Sequence, residues 1–247
     1  MSYLSDFGRF TLMLKNMFSK PENARMYWKE LMHQCVEVGW RSMPIVLIIS
    51  FFIGAVSTVQ TAYQLVSPLI PQTAIAQIVR ETVLLEFAPT LVCIVLAGVV
   101  GSKITSEIGN MRVTEQIDAL EVIGINTKTY LVLPKVLASL IMIPVLVIFA
   151  AALGIWGGRV AGKLTGIIPP DVYDIGLLTS FKSFSIFFML IKSYVFAFLI
   201  AAISCYFGYF VTGGSLEIGR AGTRSVVTAC IAILAADYVL SLLLLSK

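Results

Sequence analysis

Hydrophobic positions run through this chain in five long blocks, near residues 43 to 65, 82 to 101, 131 to 158, 184 to 211 and 225 to 246. Each is long enough to cross a hydrocarbon core of about 30 Å as a helix. Ahead of them, Leu4, Phe7, Phe10, Leu14 and Met17 keep a helical spacing, Pro21 interrupts it, and Tyr27, Leu31, Cys35 and Val38 resume it. Lys15, Lys20, Arg25 and Lys29 are placed to meet headgroups, and Trp28 and Trp40 fall near that level. Residues 1 to 42 therefore read as amphipathic interfacial helices, and residues 43 to 247 as one membrane domain of five spans. The first block is not a cleavable signal, because a long charged segment precedes it. The predicted fold class is all-α integral membrane.

Between the second and third blocks lies a charged amphipathic segment, Glu107 to Gly124. Val113, Ile117 and Leu120 share one helical face, and Glu115, Asp118 and Glu121 recur every third position beside it. A loop that only joined two spans would need neither the stripe nor the ridge, so this helix is predicted to meet a partner protein.

Composition agrees with the pattern. The chain is 58% hydrophobic and 13% charged, with a mean hydropathy of +0.90, against roughly 25% charged residues in soluble domains. The formal net charge of +4 is spread over loops and gives no footing for nucleic acid. Lys and Arg set the orientation. With the N-terminus inside, the inner segments hold Arg9, Lys15, Lys20, Arg25, Lys29, Arg41, Lys103, Arg112, Lys128, Lys135, Arg220 and Arg224, and the outer ones Arg80, Arg159, Lys163, Lys182 and Lys247. Twelve against five predicts a cytoplasmic N-terminus and an external C-terminus.

Away from the block ends, three ionisable residues need explaining: Glu86, Lys192 and Asp237. An unpaired charge at mid-bilayer costs roughly 2.5 to 3.5 kcal/mol on insertion scales, so each needs a partner or a polar cavity. At a rise of about 1.5 Å per residue they lie about 6, 12 and 14 Å inside the outer edge, in the same half of the membrane. They either line one outward cavity, or Lys192 and Asp237 form a structural pair with Glu86 solvated beside them. Gly154, Gly158 and Gly162, spaced by four, predict close helix packing against another span or a second copy. Pro44, Pro89, Pro134 and Pro144 predict kinks or helix starts. Cys35, Cys93, Cys205 and Cys230 read as buried thiols.

Catalytic constellations are sparse. His33 is the only histidine, which leaves no histidine-based metal site or Ser/His hydrolase, and no cofactor is called for. The nearest approach to a phosphate-binding loop, Gly98-Val-Val-Gly-Ser-Lys103, has the wrong spacing, so any ATP hydrolysis must lie in another subunit.

Glu107-Ile-Gly, Met111-Arg112, Thr114-Glu-Gln-Ile-Asp-Ala-Leu120, Gly219-Arg220-Ala221 and Thr223-Arg-Ser-Val-Val227 closely resemble the MlaE (YrbE) permeases, as do Gly154-Ile-Trp-Gly-Gly158 and Ile191-Lys192-Ser193. The likeness covers nearly the whole chain. It implies a homodimeric permease in a bacterial inner membrane, with its C-terminus in the periplasm. The expected partners are a cytoplasmic ABC ATPase subunit and periplasmic MCE lipid-carrying proteins. The expected substrate is phospholipid, moved between inner and outer membranes to sustain outer-membrane lipid asymmetry. It also implies that Glu107, Arg112, Glu115, Gln116, Ile117, Asp118, Leu120 and Glu121 belong to a coupling helix seated on the ATPase, and that Glu86 lies near the lipid cavity. Leu85 and Val99 depart from the family pattern, which often has Arg at both places; the expected consequence is either a different headgroup preference or headgroup contacts from Arg80 instead. Two other classes fit the residues less well: an ion-coupled carrier relaying through Glu86, Lys192 and Asp237, and a scaffold that recruits a cytosolic protein without transport.

Overall fold

A computed structural model describes residues 3 to 17, 24 to 65 and 71 to 245. The expected break at Pro21 and the cations Lys20 and Lys247 lie outside them. Among the described residues there are α-helices and short π-helical stretches and no strand. The helices are α1 (Tyr3–Met17), α2 (Ala24–Cys35), α3 (Met43–Gln64), α4 (Thr73–Thr82), α5 (Val92–Leu96), α6 (Ser102–Val113), α7 (Gln116–Val122), α8 (Leu133–Thr165), α9 (Pro170–Leu178), α10 (Ser183–Tyr209) and α11 (Ser215–Leu245).

Five continuous helical runs are long and apolar enough to span: Arg25–Gln64, Thr73–Val113, Lys128–Thr165, Ser183–Tyr209 and Ser215–Leu244. Each of the five expected blocks overlaps one of them, and those at 82 to 101 and 131 to 158 lie wholly inside. The limits differ because helix does not stop where hydrophobicity does. The second run begins at Thr73, so Arg80 is helical where a loop was expected, and the fifth begins at Ser215, which puts Arg220 and Arg224 on a helix. Residues 170 to 178 form an unforeseen helix. Pro169 is extended, Pro170 opens the first turn with φ already suited to it, and Asp174 takes a bidentate grip from Arg159 at 2.7 and 2.8 Å. That guanidinium holds the Asp174 carboxyl below its ordinary range.

The chain folds as two compact units that alternate along the sequence. The first comprises Met1–Ser42, Leu96–Ile143 and Val195–Ala236. In α1 the buried stripe is Met13 and Met17, and Phe10 meets Tyr206 edge-on at 5.7 Å. Met13, which the expected stripe leaves out, is buried, and Phe10 and Leu14 are half-buried. Helices α6 and α10 cross where side chains are small. A Cβ on Gly208 would lie 2.8 Å from the Thr105 carbonyl oxygen, and Thr105 Oγ1 donates to the Ser204 carbonyl at 3.0 Å. Ser225 of α11 joins them by donating to Ser204 Oγ at 3.1 Å.

The second unit comprises Met43–Val95, Pro144–Tyr194 and Asp237–Lys247. Its core is a backbone contact between α3 and α8. A Cβ on Gly54 would lie 1.8 Å from the Gly154 carbonyl oxygen, one on Gly157 2.3 Å from that of Phe51, and one on Gly158 2.4 Å from Thr58 Oγ1. The predicted glycines thus pack against a span of the same chain, with one change of membership. Gly162 has only ordinary contacts, the nearest at 3.7 Å, and Gly54 and Gly157 take the tight positions instead. Of the cysteines, Cys93 and Cys205 are buried as expected, whereas Cys35 and Cys230 are half-buried on less covered helices.

Candidate functional site

In the second unit, Pro89 interrupts the second run and the helix widens into π geometry over Val83–Leu91. Proline has no N–H to donate, and in π geometry the carbonyl it leaves without a backbone partner is the one five residues back, that of Leu84. Lys192 Nζ, from α10, donates to the Leu85 carbonyl at 3.0 Å. The same ammonium donates to Glu86 Oε1 at 2.8 Å and lies 2.6 Å from Asp237 Oδ1 of α11. It also sits 4.6 Å from the centre of the Phe188 ring. A lysine that is 0% exposed therefore meets two carboxylates, a carbonyl and an aromatic face. Thr90, one turn after Glu86, donates weakly to Glu86 Oε2 and Asp237 Oδ1, both at 3.3 Å.

All three predicted ionisable residues meet, and Lys192 binds both acids. The arrangement is therefore a triad and not the Lys192 to Asp237 pair with a detached Glu86. The carboxylates differ in access: Glu86 is 43% exposed and Asp237 16%. Arg80 does not join them. Its buried guanidinium donates to the carbonyls of Leu177 (2.5 Å), Thr179 (3.0 Å) and Ser180 (3.3 Å) and to Glu81 at 2.9 Å. This residue holds the turn after α9, where Ser180 has a positive φ of 52°.

In the first unit, the segment from Glu107 to Gly124 is two helices. Helix α6 ends at Val113, and α7 starts at Gln116 after Glu115 takes a left-handed φ of 60°. Ile117 is fully buried and Leu120 half-buried, so the apolar stripe holds across the break. The acidic ridge is largely engaged within the chain. Arg112 donates to Asp118 at 2.5 Å, and Glu121 accepts from Tyr209 and Thr127, each at 2.9 Å. The Tyr209 hydrogen bond leads in holding the Glu121 carboxyl below its ordinary value of 4.5. Glu115 and Gln116 are exposed, as are Val122 (88%) and Ile123 (74%) at the end of α7. Sequence reasoning passed over those two apolar residues, although their place just outside the stripe could have flagged them.

Glu107 faces inward. Lys135, expected as a loop cation, is 2% exposed with Nζ 2.7 Å from Glu107 Oε1, in a geometry that is not an aligned hydrogen bond. Its burial follows from the early start of the third helical run, at Lys128. Buried Gln34 donates to Glu30 at 2.8 Å and to Glu107 at 3.3 Å. Gln34 lay hidden within a sequence stripe judged by its apolar members.

The family model "Permease MlaE" matches residues 31–243. The chain belongs to the MlaE permease family. This MlaE permease is 34% identical over 234 residues to a probable ABC transporter permease protein of Rickettsia bellii, covering 95% of this chain and 90% of that one. It is 36% identical over 220 residues to another of Synechocystis sp., covering 89% and 83% respectively. The plant protein Trigalactosyldiacylglycerol 1, chloroplastic, of Arabidopsis thaliana is 30% identical over 217 residues, which are 88% of this chain and 62% of the plant one. The MlaE chain is accordingly a multi-pass membrane permease.

Proposed function

We propose that this permease is the membrane subunit of an ABC transporter that moves phospholipids between the inner and outer membranes of a Gram-negative envelope. Two copies act together in the inner membrane, each with its N-terminus in the cytoplasm and its C-terminus in the periplasm. A cytoplasmic ATPase hydrolyses ATP, and periplasmic MCE proteins carry the lipid. The observation that carries this reading is the Glu86–Lys192–Asp237 cluster. A polar point is built among apolar spans, with Lys192 enclosed and Glu86 left accessible to a headgroup. Acyl chains have a matching surface on α3, where Val56, Val59 and Tyr63 border an apolar groove of about 570 Å³. The plant relative's printed name, which contains a diacylglycerol glycolipid, favours a diacyl lipid as substrate.

The ATPase is received at Glu115 to Ile123. With Asp118 and Glu121 engaged internally, the free surface is Glu115 and Gln116 followed by the apolar pair Val122 and Ile123. The contact is therefore partly hydrophobic, and less acidic than the spacing of the acids implies. Transfer of fluorescent phospholipid in proteoliposomes carrying the whole complex tests both parts. Glu86→Gln is expected to fold and to lose transfer, and transfer at the wild-type rate would refute the cavity role. Val122→Asp with Ile123→Asp is expected to lose ATPase co-purification, and an intact complex would refute the coupling role.

A further inference from the structure

The first unit contains a cavity of about 480 Å³, within the size range of small-ligand sites. Met26, Lys29, Glu30 and His33 reach it from a single face of α2, three and four residues apart. Glu107 and Met111 approach from α6, and Tyr130 and Lys135 from the start of the third run. Its charges are balanced and sorted. Glu30 and Glu107 are drawn together by Gln34, which donates to both. Lys135 is 2% exposed, and among the described residues its Nζ makes no aligned hydrogen bond and one ion pair, to Glu107. Lys29 is exposed on the same wall.

A buried ammonium has three N–H groups and gains most when all are used, so Lys135 is set to bind an anionic oxygen. A simple anion would also face two carboxylates and be repelled. A group carrying both charges fits the whole wall: phosphate on Lys135 and Lys29, and a protonated amine between Glu30 and Glu107. We infer that this cavity binds the phosphate–ammonium headgroup of a phospholipid, with the glycerol end against Met26 and Met111. The inference rests on the phospholipid reading above and adds a second lipid site built from different residues. It also selects among headgroups. A primary ammonium donates hydrogen bonds to the two acids, and a trimethylammonium has no N–H to donate.

The test uses the full chain in its complex, with Met26 replaced by photoreactive p-benzoylphenylalanine. Vesicles contain equal parts of phosphatidylethanolamine, phosphatidylcholine and phosphatidylglycerol, and adducts are identified by mass spectrometry. Phosphatidylethanolamine adducts are expected to exceed phosphatidylcholine adducts about tenfold, the scale of one charge-assisted hydrogen bond. Lys29→Glu, on an exposed position, should remove the excess, and Glu30→Gln should lower phosphatidylethanolamine more than phosphatidylglycerol. Equal adducts from all three lipids, or an excess untouched by both variants, overturns the inference. Protection by an equal concentration of soluble O-phosphoethanolamine also overturns it, because the site would then take a free phosphomonoester. If Glu86→Gln transfers lipid normally while Lys29→Glu still abolishes the excess, the outer-cavity reading fails and this one stands.

Discussion

Lys192 and Lys135 are both buried lysines, one in each unit of the permease, and they are satisfied very differently. Lys192 has two carboxylates, the Leu85 carbonyl and the Phe188 ring around it. Lys135 has one carboxylate at 2.7 Å, poorly aligned, and a cavity at its side. Burying a cation is tolerable only when neighbouring groups replace its hydration. At Lys192 the protein supplies that replacement in full, which fixes the meeting of α10, α11 and the widened second run. At Lys135 the replacement is partial, which leaves the ammonium able to accept a ligand. Burial alone therefore does not tell a structural cation from a receptive one; the number of directed partners does.

Lys192→Met should have the largest effect. It leaves Glu86 and Asp237 together without a cation and should cost about 3 to 5 kcal/mol, read as a fall in melting temperature in detergent micelles. Adding Glu86→Gln and Asp237→Asn should recover most of the loss. A single variant within 1 kcal/mol, roughly, of wild type would erase the difference between the two lysines. Gly54→Ala comes next, because its Cβ has no room beside the Gly154 carbonyl oxygen. It should cost about 1 to 3 kcal/mol, whereas Gly162→Ala should stay near neutral by the same melting measurement. Lys135→Met should cost about 1 to 2 kcal/mol, less than Lys192→Met, since it strands one acid and not two, and Glu107 is 40% exposed where Asp237 is 16%. If the two lysine variants cost the same, the number and burial of the stranded acids are not what separates them.

Tyr209→Phe should have the smallest effect, and it is read from pH. The folded Glu121 carboxyl titrates below its ordinary 4.5. Its contribution to stability is therefore fully present above that value and is lost as pH falls through the lower folded value. Removing the Tyr209 donor should raise the Glu121 titration midpoint in carbon-detected NMR of the labelled side chain. A midpoint that did not move would assign the depression to Thr127 and the nearby cations instead.

Much of the fold was legible because span length and apolarity are local properties. The five blocks, the glycines of α8 and the buried Ile117 all follow from spacing. What was hidden depends on a second helix. Gly54 and Gly157 matter only because α3 and α8 approach to backbone contact, and Gly157 breaks the four-residue spacing that drew attention to its neighbours. Arg80 and Lys135 looked like loop cations because hydropathy starts these helices later, near 82 and 131, than hydrogen bonding does, at Thr73 and Lys128; both are inside helices and buried. The triad was half legible. The similar depths of Glu86, Lys192 and Asp237 could be counted along the chain, but the Leu85 carbonyl that completes the site is backbone and leaves no mark in side-chain chemistry. The acids of α7 were visible, whereas Tyr209, far away in sequence, decides what Glu121 does.

The grip of Lys192 on a main-chain oxygen shifts where variation can occur. Lys192 touches residue 85 only through its main-chain oxygen, so it is blind to the side chain there. A different side chain at 85 leaves this arm of the triad unaltered. Position 85 is thus free to tune what the permease presents to its surroundings without disturbing the carbonyl that Lys192 holds.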